Sequence, residues 1–171
     1  MKSEVKIVRI KDFDFAKVRY YTLEFEDDSQ EVKKFFDKYQ EEYSKSVSYI
    51  KMWIAEIGEK YGAEDRFFRP EDNAGALPPP SPLLRRLDKE FDKENLSLRL
   101  YCIVLSPEIV ILVNGGIKES QATRDSPSCW KEFQFVSNIA SQLGRLIKQG
   151  HLTINGKVLE RSESFKLLYT K

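Results

Sequence analysis

Histidine is nearly absent from this chain: His151 is the only one in 171 residues. A histidine-rich metal site is excluded, and a serine-type triad would have one available base. His151 sits between Gly150 and a hairpin signal, where an exposed loop histidine is the plainer reading. Cysteine is scarce too. Cys102 and Cys129 make neither a disulfide framework nor a zinc set, which suits a reducing, cytoplasmic setting. Cys102 lies inside an apolar run and reads as a small buried hydrophobe. No Walker loop or GxGxxG follows a strand pattern, so nucleotide-fold readings find no support. No apolar run approaches the roughly 20 residues of a membrane helix, so no membrane partner is expected. The opening MKSEVKIVRIKD carries charge throughout and lacks the apolar stretch of a secretory signal. Charge of one sign is also missing, with 28 Lys and Arg against 27 Asp and Glu. That near-balance argues against a strongly electrostatic nucleic-acid binder and leaves a local basic patch open.

The chain does have enough apolar material for one domain with a real core, 41% hydrophobic against 32% charged. Val5–Ile10 and Val18–Glu26 read as strands, with Tyr21, Leu23 and Phe25 on one face of the second. Asp28-Ser29-Gln30-Glu31 resembles a capping box. Apolar residues then recur at helical spacing from Val32 to Tyr61, and Gly62 ends the run. The span 29–62 is either one long helix or a helical hairpin breaking near Tyr43-Ser44-Lys45-Ser46, its weakest part. Phe35, Phe36, Tyr39 and Tyr43 on it belong to the core by default, with a partner surface as the alternative. Residues 66–81 (RFFRPEDNAGALPPPS) read as a Pro-rich surface loop. Leu83–Phe91 reads as a short strand or a helical turn. Leu96–Leu105 and Glu108–Val113 form a hairpin around Ser106-Pro107, and 128–149 forms a second apolar-striped helix. Trp53 and Trp130 read as core or partner-facing anchors. Residues 151–171 read as a C-terminal hairpin extension turning at Asn155-Gly156. Asp12, Asp14, Asp27 and Asp28 match no calcium-loop spacing and read as solvated loop or helix cap.

The stretch LRLYCIVLSPEIVILVNGGIKES, from Leu98 to Ser120, carries the functional question. It sets Arg99 into one strand and ends the other in Gly115-Gly116-Ile117-Lys118-Glu119-Ser120. Read alone, Arg99 would pair with a carboxylate such as Glu108 or Glu90, and the two glycines would mark a bulge or tight bend.

The order strand, helical hairpin, basic loop, apolar hairpin, helix resembles the RelE/HigB (RelE/ParE) superfamily of toxins from type II toxin–antitoxin pairs. The specific match is Leu98-Arg99-Leu100-Tyr101, an apolar strand Ile109–Val113, and the rim Lys118-Glu119-Ser120-Gln121-Ala122-Thr123. Glu119 stands where a second lysine is usual, and Arg124 where proline is usual. The resemblance spans about residues 17–149 and is specific only over 96–124.

It implies a small α+β fold, a twisted antiparallel sheet against helices, here with an added first strand and last hairpin. It also implies metal-free, cofactor-free mRNA cleavage on the ribosome by an endoribonuclease (an mRNA interferase), through 2′-hydroxyl attack on the adjacent phosphate. Carried over, Arg99 and Lys118 are the catalytic cations, Lys118 facing the phosphate. Arg85, Arg86 and Arg124 are further RNA or phosphate contacts, and Tyr101 is a candidate stacking ring. The implied partners are a cognate antitoxin, mRNA and the ribosome. The alternative is a non-catalytic or degenerate relative that binds an antitoxin or another target such as gyrase.

Overall fold

A computed structural model describes residues 2–88, 91, 97–119 and 126–170. The fold is mixed α+β. Seven strands form the main sheet: β1 (Lys2–Asp14), β2 (Arg19–Glu24), β3 (Arg69–Glu71), β4 (Ala74–Leu77), β5 (Leu98–Ser106), β6 (Ile109–Ile117) and β9 (Leu167–Thr170). Their order is β3-β4-β5-β6-β2-β1-β9. A separate two-stranded sheet pairs β7 (Leu152–Asn155) with β8 (Val158–Arg161). The helices are α1 (Glu31–Tyr39), α2 (Ser44–Glu56), α3 (Ser81–Leu87) and α4 (Pro127–Lys148).

The sheet departs from the expected all-antiparallel arrangement in one place. β2 runs parallel to β6, Arg19 opposite Ile109 and Tyr21 opposite Ile111. Both strands are buried on both faces, as a central parallel pair must be. One face packs Val18, Tyr20, Leu100, Leu112 and their neighbours under α1 and α2. The other packs Tyr21, Leu23, Tyr101, Ile111 and Val113 under α4. The sheet therefore lies between two helical layers.

Span 29–62 is two helices and a terminal π turn (Ile57–Tyr61), parted at residues 40–43, close to its weakest stretch. Phe35 and Tyr39 are buried, and Phe36 and Tyr43 pack against the same core, so these rings are structural. The capping box does not form. Ser29 bonds Asp27 instead, and the Val32 amide donates to Thr22 Oγ1 of β2 at 3.1 Å. Trp53 is buried, while Trp130 lies part-exposed against Phe133, ring centroids 5.7 Å apart.

Residues 66–81 are not a surface loop. They build β3 and β4 and bury Phe67, Phe68, Ala76 and Leu77, with Pro70 at the sheet's outer edge. A proline needs no ladder partner there. The C-terminal segment is likewise only partly an extension: β9 completes the main sheet beside β1, Leu167 opposite Val5. Its turn falls on Gly156-Lys157, one residue later than expected, because Asn155 pairs with Val158. Among the described residues no helix is long and apolar enough to cross a membrane.

Candidate functional site

The double glycine answers a packing demand. Between the pairs Leu100–Gly115 and Cys102–Leu112, β6 carries one residue more than β5, a bulge in which Val113 and Asn114 face Tyr101, immediately before the double glycine. Asn114 Oδ1 accepts the Gly115 amide at 2.8 Å. A Cβ on Gly115 would stand 1.7 Å from the Arg99 carbonyl oxygen. One on Gly116 would stand 2.7 Å from Ser128 Oγ. Gly116 thus seats the first turn of α4 on the strand. Ser128 Oγ there answers both the amide and the carbonyl of Ile117, at 3.0 and 3.1 Å. Past the strand end, the Glu119 amide donates to Ser126 Oγ at 2.9 Å.

This junction brings Arg99 and Lys118 together on the α4 face. Lys118 Nζ lies 3.6 Å from Glu71 Oε1, with both side chains largely buried. The charge of Glu71 also reaches Arg99 and Arg69, so one carboxylate on β3 answers three cations. Burial lowers the Arg69 pKa to about 10, and the Arg99 guanidinium pushes the same way. Arg69 is held by the carbonyls of Pro78 and Pro79 at 2.8 and 3.1 Å. Arg99 is 8% exposed, and burial depresses its pKa too. Its Nη1 reaches the Leu98 carbonyl at 3.3 Å, while Nε has no partner among the described residues. Cys129, in the first turn of α4, is pushed up by burial and pulled back by Tyr101, Arg99 and Lys118. The group holds more positive than negative charge in a poorly solvated spot, which suits an anion.

The other expected site residues fall elsewhere. Tyr101 is wholly buried against Phe133, so it is not a stacking ring for a base. Arg85 and Arg86 are exposed on α3, whose Leu83 and Leu84 anchor in the α1–α2 core; they do not join Arg99. Arg124 and Glu90 lie outside the described residues. Glu108 sits at the opposite end of the β5–β6 hairpin, and the carboxylate serving Arg99 is Glu71. Sequence reasoning missed Arg69 and Glu71. Their signal was the alternation Arg69-Pro70-Glu71 before an apolar Ala74–Leu77, masked by the prolines around it.

A groove of about 1470 Å³ opens on another part of the surface, between α1, α4 and β9. It contains none of the expected site residues. Glu31, 5% exposed, accepts from Asn114 Nδ2 at 2.7 Å and pairs with Lys34 at 3.4 Å. Glu132 on α4 has its pKa raised by burial, then by the charge of Glu31, against the pull of Lys131, Lys38 and Lys34. A carboxyl with a raised folded pKa binds its proton more tightly folded than unfolded. Its stabilising contribution is therefore present at acid pH and lost as pH rises through that value. Glu132→Gln should raise the melting temperature at neutral pH by about 1–2 °C. The gap over wild type should close as the pH is brought down towards 4, and scanning calorimetry across pH reads both.

Comparison with protein-family models, with curated proteins and with solved structures gave no match.

Proposed function

We propose that this chain is the toxin of a toxin–antitoxin pair, with RelE-like architecture and metal-free, ribosome-associated mRNA cleavage. The observation that carries the reading is the meeting of Arg99 and Lys118, far apart in the hairpin sequence, in one cation-rich cluster with Arg69. Arg99 supplies a planar fork whose Nε has no partner among the described residues, suited to the two non-bridging oxygens of a phosphodiester. Lys118 adds a point charge for the crowded phosphate formed by 2′-hydroxyl attack. In that step the 2′-oxygen bonds to phosphorus, the 5′-oxygen of the next nucleotide leaves with a proton, and a 2′,3′-cyclic phosphate remains.

A second reading has an observation of its own. Lys118 is already engaged by Glu71, and Arg99 is nearly buried, as suits a binding module of the same architecture that holds an antitoxin without cutting RNA.

Induction of the chain alone in a bacterial host, with mRNA 5′ ends mapped by primer extension, separates the two. Translation-dependent cuts are expected, falling at least about 100-fold in Lys118→Ala and Arg99→Gln. Thermal melts of both variants report whether the fold survives. Arrested growth with intact mRNA would support the binding module and discard the chemistry.

A further inference from the structure

The groove between α1, α4 and β9 has a place in the topology that the Arg99 cluster lacks. β2 and β6 are parallel neighbours, and their connections leave on opposite faces, β2 into α1 and β6 towards α4. Where adjacent parallel strands send their chains to opposite sides, a crevice opens beyond their carboxyl ends, and such crevices are ligand seats in α/β sheets. Here the strand ends supply Asn114 directly, and the first turn of α1 supplies Glu31.

The floor is a fixed carboxylate. Asn114 holds Glu31 from below, itself pinned by the Gly115 amide, so the oxygen cannot turn away. Glu132 brings a second carboxylate from the facing helix, within reach of the first one's field. The wall is aromatic. Phe25 and Tyr169 have centroids 4.6 Å apart, and Phe135 lies 6.0 Å from Phe25 and 6.1 Å from Tyr169. The protein already shows what this combination holds. The Lys34 ammonium lies 4.4 Å over the Phe25 ring while pairing with Glu31. An alkylammonium between a carboxylate and a ring face satisfies both charge and cation–π attraction. Lys34 uses one ring and one carboxylate, and its side chain remains 47% exposed. On the α4 side of the groove Glu132 and Phe135 stand three residues apart on one helix, with Tyr169 against Phe135 and with Lys131 and Arg145 lining the same side.

We infer that the crevice between α1 and α4 binds an alkylammonium chain, with Glu132 and the Phe135–Tyr169 rings as its seat. The shared chemistry is that of a free polyamine or of a lysine side chain offered by a peptide. The site is separate from the Arg99 cluster and does not depend on the function proposed for it.

Titration calorimetry on the full chain at low salt, with spermidine and with a tetralysine peptide as probes, tests the inference. At least one probe should bind with one-to-one stoichiometry and weaken ten-fold or more in Glu132→Gln and in Phe135→Leu. Spermidine binding would assign a free polyamine; binding of tetralysine alone would assign a peptide side chain. Thermal melts of both variants report whether lost binding reflects unfolding. Binding of neither probe, or binding unchanged in both variants, would overturn the inference.

Discussion

Gly115→Ala is expected to leave the protein unfolded or insoluble. The added methyl would sit 1.7 Å from the Arg99 carbonyl oxygen, well inside any real contact distance, and the obstacle is backbone rather than a side chain that could swing aside. Relief requires β5 and β6 to part at their bulge. That pair lies mid-sheet, and both strands are buried on both faces over most of their length. Separation would expose Leu98, Leu100, Leu112 and Val113 to water. A cost above about 4 kcal/mol follows from overpacking combined with a broken ladder. A protein of ordinary stability, about 5–15 kcal/mol, has little left after that loss. Gly116→Ala should be milder, about 1–3 kcal/mol, because its Cβ would stand 2.7–2.8 Å from the Ser128 hydroxyl and backbone, a smaller intrusion than the 1.7 Å at Gly115. Urea denaturation followed by circular dichroism gives both values. A Gly115→Ala protein that melts like wild type would refute the close approach of Gly115 to the Arg99 carbonyl.

Glu71→Gln should have the second largest effect, and its size should depend on the anion in the buffer. Glu71 is the carboxylate that Arg69, Arg99 and Lys118 all feel. Its amide isostere keeps the volume and removes the charge, leaving three cations in a desolvated pocket. Breaking a part-buried pair in this way should cost about 2–4 kcal/mol in chloride. Added phosphate should restore much of that loss by pairing with the three uncompensated cations, stabilising the variant through its bound state far more than wild type. Thermal melts in chloride and in phosphate at equal ionic strength make the comparison. Equal stabilisation of both proteins would mean the cluster is a structural ion-pair network with no anion seat. Either result also bears on the proposed RNA cleavage, since a cluster that accepts phosphate only without Glu71 would need that carboxylate displaced by the RNA phosphate.

Much of this architecture was legible in the residues. The apolar runs of β5 and β6, the stripe of α4 and the weak segment near Tyr43 are each local signals, and the elements formed close to where these placed them, β6 running on to Ile117 beyond the expected end at Val113. Arg99 and Lys118 were singled out through the family resemblance and not through any local period; read from the residues alone, Arg99 was a partner for Glu108 or Glu90. What escaped is long-range. No local pattern states that Tyr20 will lie beside Val110 in parallel, or which face of β5 α4 will cover. That second choice decides whether Tyr101 is a surface ring or a buried one. β3 and β4 escaped for another reason. Strands of three and four residues carry too few side chains to show a period, and Pro70, Pro78 and Pro79 obscured what remained.

The parallel seam between β2 and β6 also governs how the chain must assemble. A polypeptide made from its N-terminus completes β1 and β2 early, but the strand that lies on β2's inner side is not made until well past the middle of the chain, and the one beside β1 is made last of all. During that interval Val18, Tyr20, Tyr21 and Leu23 have no permanent neighbours, and both flanks of the β1–β2 pair are open to other strands. Pairing across such separations is slow, and open flanks invite association between nascent chains. Fragments ending before β6 should therefore aggregate, and newly synthesised protein should depend on holding factors more than its size alone would suggest.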